Sequence, residues 1–111
     1  MHTPEEVRWR LRKGEQIVGY ERHLNGRVWS SKDGLWWNGR QLAHDKKDLC
    51  SSIKDINNDW LFEGDVVAWE THSGTWSLMF LALQWVLVQD EWTLPLPANG
   101  RELRRVGFRS N

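Results

Sequence analysis

The sequence predicts an all-β fold: a small, barrel-like domain of short antiparallel strands with room for one short helix. Three observations lead there. Turn dipeptides recur along the chain, at Asn25-Gly26, Asp33-Gly34, Asn38-Gly39, Ser73-Gly74 and Asn99-Gly100. Asn-Gly and Asp-Gly suit hairpins because both central residues of such a turn need positive φ. Residues 7–12 (VRWRLR) alternate apolar and basic without a fault, the signature of a half-buried strand. Nine tryptophans are spread along the 111 residues, so a short chain can fill its interior with few large rings.

The elements follow in order. Period two puts Val7, Trp9 and Leu11 on one face of the first strand and Arg8, Arg10 and Arg12 on the other. A turn at Gly14 leads into a returning strand over residues 17–23. Residues 28–30 and 35–37 make a shorter pair around Asp33-Gly34. Residues 43–48 are polar and read as a loop, and 55–59 as a turn. Residues 60–62 and 66–69 are two extended pieces joined by a bend at Gly64. Residues 75–88 (TWSLMFLALQWVLV) hold no Gly or Pro and are ambiguous. Two strands with a tight reversal near Ala82-Leu83 are favoured, and one helix is the alternative. Pro95 and Pro97 forbid regular ladder pairing where they stand. Residues 103–109 form a closing strand with Val106 and Phe108 facing inward.

Length bounds the organisation to one domain over residues 1–111. Lys+Arg and Asp+Glu are both 15, and this balance removes the strongest sign of a nucleic-acid binder, a basic domain. A single cysteine excludes an internal disulfide framework and fits a reducing, cytoplasmic setting. No apolar leader is visible at the amino terminus. The longest apolar run, residues 78–83, is far short of the roughly 20 residues a membrane helix needs. No membrane partner and no cofactor are expected.

Residues 53–67 (IKDINNDWLFEGDVV) resemble the signature of the YopX family of small phage and prophage proteins: an apolar-Lys-Asp-x-Asn-Gly turn, an aromatic, then Glu-Gly-Asp and two aliphatics. Residues 7–21, ending Gly19-Tyr20-Glu21, resemble that family's first hairpin. Residues 44–48 resemble its polar stretch before the signature, and 105–111 its aliphatic-Gly-aromatic ending. Two departures stand out. Asn58 and Asp59 occupy positions where the family often has Gly and Lys, and Ser52 one that is commonly Gly. The resemblance implies a mostly β accessory protein of a phage or prophage, with no established activity and no functional residues to carry over.

The residues themselves offer few constellations. Glu63 and Asp65 lie two apart and on one strand would share a face, where paired carboxylates divide acid and base roles or hold a divalent cation. A metal-dependent nuclease would use them. The bland alternative is that Asp65 ties the bend to backbone N–H groups. His2, His23, His44 and His72 show no ligand spacing, and no CxxC motif exists, so no metal site is expected. Cys50 stands where the resembling family has a bulky apolar residue, which implies burial as a small hydrophobe.

Arginine is the better functional signal. Arg8, Arg10, Arg12, Arg105 and Arg109 would form one basic surface if the two terminal strands met in a sheet. Residues 55–70 carry five acids and no base, so the neutral total conceals a charge asymmetry. A basic β face can track a phosphate backbone, and a solvated outer face explains the same residues. Trp36 and Trp37 are adjacent, so in a strand one of them faces outward, where Trp is a preferred anchor for self-association. The sequence therefore points to a non-catalytic binding module for a nucleic acid or a host protein. A structural homo-oligomer is the alternative beside the nuclease.

Overall fold

The computed structural model describes residues 6–32, 35–38 and 42–108. Eleven strands run in chain order: β1 (Glu6–Lys13), β2 (Gln16–Leu24), β3 (Arg27–Ser31), β4 (Trp36–Asn38), β5 (Lys46–Lys54), β6 (Trp60–Phe62), β7 (Asp65–Trp69), β8 (His72–Leu81), β9 (Gln84–Gln89), β10 (Trp92–Pro95) and β11 (Leu103–Phe108). They form two antiparallel sheets, ordered β4-β3-β2-β1-β5-β6 and β10-β9-β8-β7-β11. The all-β expectation holds, and the short helix it allowed is not among the described residues. The strands gather into two antiparallel sheets without a closed barrel among the described residues, a loose form of the barrel-like domain expected. No described helix is long and apolar enough to cross a membrane.

The chain divides into two compact units, Met1–Cys50 and Ser51–Asn111, with the boundary inside β5. In the first, β1 pairs with β2 from Glu6↔Leu24 to Lys13↔Gln16. A bulge interrupts that ladder: Leu11 faces Gly19 and Arg12 faces Ile17, so Val18 is the extra residue. On its other side β1 pairs with β5, Arg10 opposite Asp48. The loop read over residues 43–48 is thus corrected: Lys46, Lys47 and Asp48 already belong to β5. Their polarity hid the strand, because here a strand buries a carboxylate instead of an aliphatic.

The second unit holds an apolar core. Leu61, Val67, Trp69, Trp76, Leu78, Leu87 and Leu103 are buried together, with Ile53, Trp85, Leu94 and Leu96 packed against them. Residues 75–88 are two strands, β8 and β9, reversing at Ala82-Leu83. Asp55 fixes the turn after β5. Its Oδ1 accepts the N–H groups of Asn57 and Asp59, and its Oδ2 accepts that of Arg105 at 2.9 Å. Gly100 sits so close that a Cβ there would lie 1.9 Å from the Lys54 carbonyl oxygen, so only glycine fits. Ser52 (φ 65°) and Asn58 (φ 66°) take left-handed backbone without being glycine.

The inward orientation expected of Val106 is also corrected. Val106 is 47% exposed. The register steps from Arg105↔Val67 to Gly107↔Val66, so Val106 is the extra residue of a bulge and loses the face that simple alternation gave it.

Candidate functional site

The described arginines of this set, Arg8, Arg10, Arg12 and Arg105, do not form one solvent-facing surface. Arg10 is 1% exposed and Arg12 5%. Arg12 binds Asp48 with two parallel bonds, Nε to Oδ2 at 2.7 Å and Nη2 to Oδ1 at 2.8 Å, and Arg10 Nε reaches the same Oδ2 at 2.8 Å. The hydrogen bond to Asp48 holds the Arg12 guanidinium above its already high ordinary value against the opposing effect of burial. Asp48 lies directly across the ladder from Arg10, inside a polar stretch whose composition reads as loop, so the sequence pattern does not reveal the pairing. Arg8 is half-buried and bridges to Glu6 at 2.9 Å. Arg105 lies on β11, whose ladder partner is β7, so it and the arginines of β1 are in different sheets. Arg109 lies outside the described residues.

The opposite face of β1 and β2 carries a second charged cluster. Glu21 is 3% exposed. Burial pushes its carboxyl up, but His23 Nε2 and Lys47 Nζ donate to it and hold it below the usual glutamate range. The Lys47 ammonium also sits 5.1 Å above the Trp9 ring. These are stabilising pairs on a sheet face.

The acidic pair has structural work. Asp65 is fully buried, and its Oδ2 accepts the Phe62 N–H at 2.8 Å. Glu63 Oε2 accepts the Phe80 N–H at 3.0 Å. Among the described residues no three His, Cys, Asp or Glu side chains are grouped to hold a metal ion. Cys50 is buried and free of any disulfide. Trp36 is half-buried with the Arg22 guanidinium 4.8 Å from its ring centre, while Trp37 is 52% exposed on β4. The split between the two faces follows from alternation.

The feature that sequence reasoning passed over is the tip of the β8–β9 hairpin. Its ladder runs outward from Leu78↔Leu87, through Phe80↔Trp85, to Leu81↔Gln84. The root is anchored: Leu78 and Leu87 are fully buried, and the Leu78 carbonyl accepts the Gly64 N–H at 2.8 Å. The Phe80 and Trp85 rings meet at a tilt of 42°, with their centres 4.9 Å apart. Beyond them the chain reverses through Ala82 (φ 50°) and Leu83 (φ 63°). Both residues are left-handed, the conformation that normally selects Asn-Gly. Leu83 is 90% exposed and Leu81 46%. The sequence signal was present, since a predicted two-residue turn made of Ala and Leu is itself an anomaly.

Family models, curated proteins and solved structures were all compared with this chain, and none matches it.

Proposed function

We propose that this chain is a non-catalytic binding module for another protein, and that the β8–β9 tip makes the contact. One observation carries the reading: a leucine 90% exposed on a turn whose two central residues both hold left-handed backbone. Each such non-glycine residue costs about 1 kcal/mol, and the exposed side chain returns nothing to the isolated fold. Local strain joined to exposed apolar surface is the pattern of a contact point. Residues 72–89 contain no Asp, Glu, Lys or Arg. A bilayer surface is held by basic flanks and a phosphate backbone by cations, so this segment favours an apolar pocket on a protein. The burial of Arg10 and Arg12 on Asp48 removes two of the side chains that favoured nucleic acid.

Within the same proposal the chain is a YopX-like accessory protein of a phage or prophage, acting in the bacterial cytoplasm. The left-handed Ser52 and Asn58 support this part. A second reading, self-association through β4, rests on the exposed Trp37 of that sheet-edge strand. Light scattering on Trp37→Ser tests it: conversion of a dimer to a monomer supports it, and an unchanged mass ends it.

The main test places a photoreactive residue at position 83, with position 25 as an exposed turn control. The expected result is a discrete protein adduct from position 83 alone. Excess wild-type chain should compete it away, and excess Ala82→Asn/Leu83→Gly chain should not. No adduct, or equal competition by both, overturns the reading. A gel shift with DNA or RNA at low salt would replace it with the nucleic-acid alternative.

A further inference from the structure

A second feature lies wholly within the first unit. A cleft of about 460 Å³ opens where the bulged half of β2 meets the end of β3 and the approach to β5. That volume is within the range of small-molecule sites, roughly 300–1,000 Å³. Three details of the chain build it. Val18 is the extra residue of the β2 bulge, a device that re-aims side chains and gathers at functional sites. Gly19 follows it, and a Cβ there would lie 2.4 Å from Leu42 Cδ1 and 2.6 Å from the Ser31 carbonyl oxygen. Only glycine therefore lets Leu42 lie down on β2. The neighbouring hairpin turn is locked, since Gly14 N–H donates to Asp45 and its carbonyl accepts Arg12 Nη1 at 3.1 Å.

The lining is apolar along Ile17 and Leu42 and basic at Lys13 and Lys32. Both lysines are exposed, and among the described residues neither is in an ion pair. The nearby Asp45 carboxylate is occupied by the Gly14 N–H. Two ammonium groups beside an apolar wall can meet an acidic head where an apolar body rests, with Asp45 and Glu15 the acids near the same turn. We propose that this cleft binds a small organic anion: one acidic head met by Lys13 and Lys32, on an apolar body seated against Ile17 and Leu42. The site is independent of the hairpin tip and does not rest on the protein-binding proposal.

Anilinonaphthalene sulfonate is a suitable probe, being an apolar ring system with one fixed negative charge. Fluorescence titration should give one saturable site. The uncharged phenylnaphthylamine should bind at least about tenfold more weakly, and Lys13→Gln/Lys32→Gln should weaken the anion by a similar factor. Ala43→Trp, an exposed lining position, should block the cleft without disturbing the core. Arg27→Gln, an exposed cation elsewhere, and Ala82→Asn/Leu83→Gly should leave binding unchanged. Competition by octanoate and by octyl phosphate then identifies the preferred head group. Absence of saturable binding overturns the proposal. So does equal affinity for the neutral probe, a loss as large in Arg27→Gln, or indifference to either the lysine or the Ala43 change.

Discussion

Residues 1–50 keep Arg10, Arg12, Glu21 and Asp48 away from water, whereas residues 51–111 fill their centre with Leu61, Val67, Trp76, Leu78 and Leu87. The second unit also buries acids, but Asp55 and Asp65 spend their oxygens on backbone N–H groups at turns. In the first unit the buried charges answer one another across the strands. The two solutions differ in what a mistake costs. Losing a methylene from an apolar core leaves a cavity, and losing one member of a buried ion cluster leaves a charge without its counter-ion.

That contrast can be broken from the charged side first. Asp48→Ala should have the largest effect, destabilising by about 3–5 kcal/mol, because it strips the counter-ion from two buried guanidinium groups. Replacing Arg10, Arg12 and Asp48 together with apolar residues of similar volume should restore most of the loss. Denaturant titration measures both, with hydrogen exchange assigning the loss to one unit. On the apolar side Leu87→Ala should cost about 3 kcal/mol through lost contact and residual cavity, measured the same way. Asp55→Ala should cost about 2 kcal/mol by orphaning three N–H groups, with exchange quickening at Asn57, Asp59 and Arg105.

Smaller effects sharpen the picture. Ala82→Asn/Leu83→Gly should raise stability by about 1 kcal/mol, since it supplies the residues that a left-handed two-residue turn prefers. A more stable protein with weaker partner binding would be the mark of a turn kept for contact. The smallest effect is a pH dependence. The Glu21 carboxyl is held below its usual range, so its contribution is whole at neutral pH and is lost as pH falls through and below the ordinary glutamate range. Glu21→Gln should flatten that part of the acid unfolding curve.

Much of the fold was legible because period-two alternation, turn dipeptides and β-branched runs agree along most of the chain. Residues 7–12 fall within β1, and the reversal at Ala82-Leu83 is where the two-strand reading put it. Polarity misled in two places for one reason. Alternation tells which residues share a face, and it does not tell whether that face meets water. Arg8, Arg10 and Arg12 do alternate with Trp9 and Leu11, yet a carboxylate on β5 draws two of them inward. Reading Asp48 as loop and Arg10 as surface was therefore one error made twice. Val106 failed differently, through a bulge that shifts parity by one residue. The hairpin tip was located but not recognised as a site, because a turn position is legible from a sequence and the exposure of its side chains is not.

The Asp55 turn has one more effect. By taking the Arg105 N–H, while the Ile56 N–H takes the Leu103 carbonyl, it occupies polar groups along the outer border of β11. At the opposite border β10 ends in Pro95, which has no N–H to offer. Both rims of the five-stranded sheet are thus discouraged from templating another chain. The exposed leucine of the β8–β9 turn thus belongs to a sheet whose two edge strands offer an incoming strand fewer backbone groups.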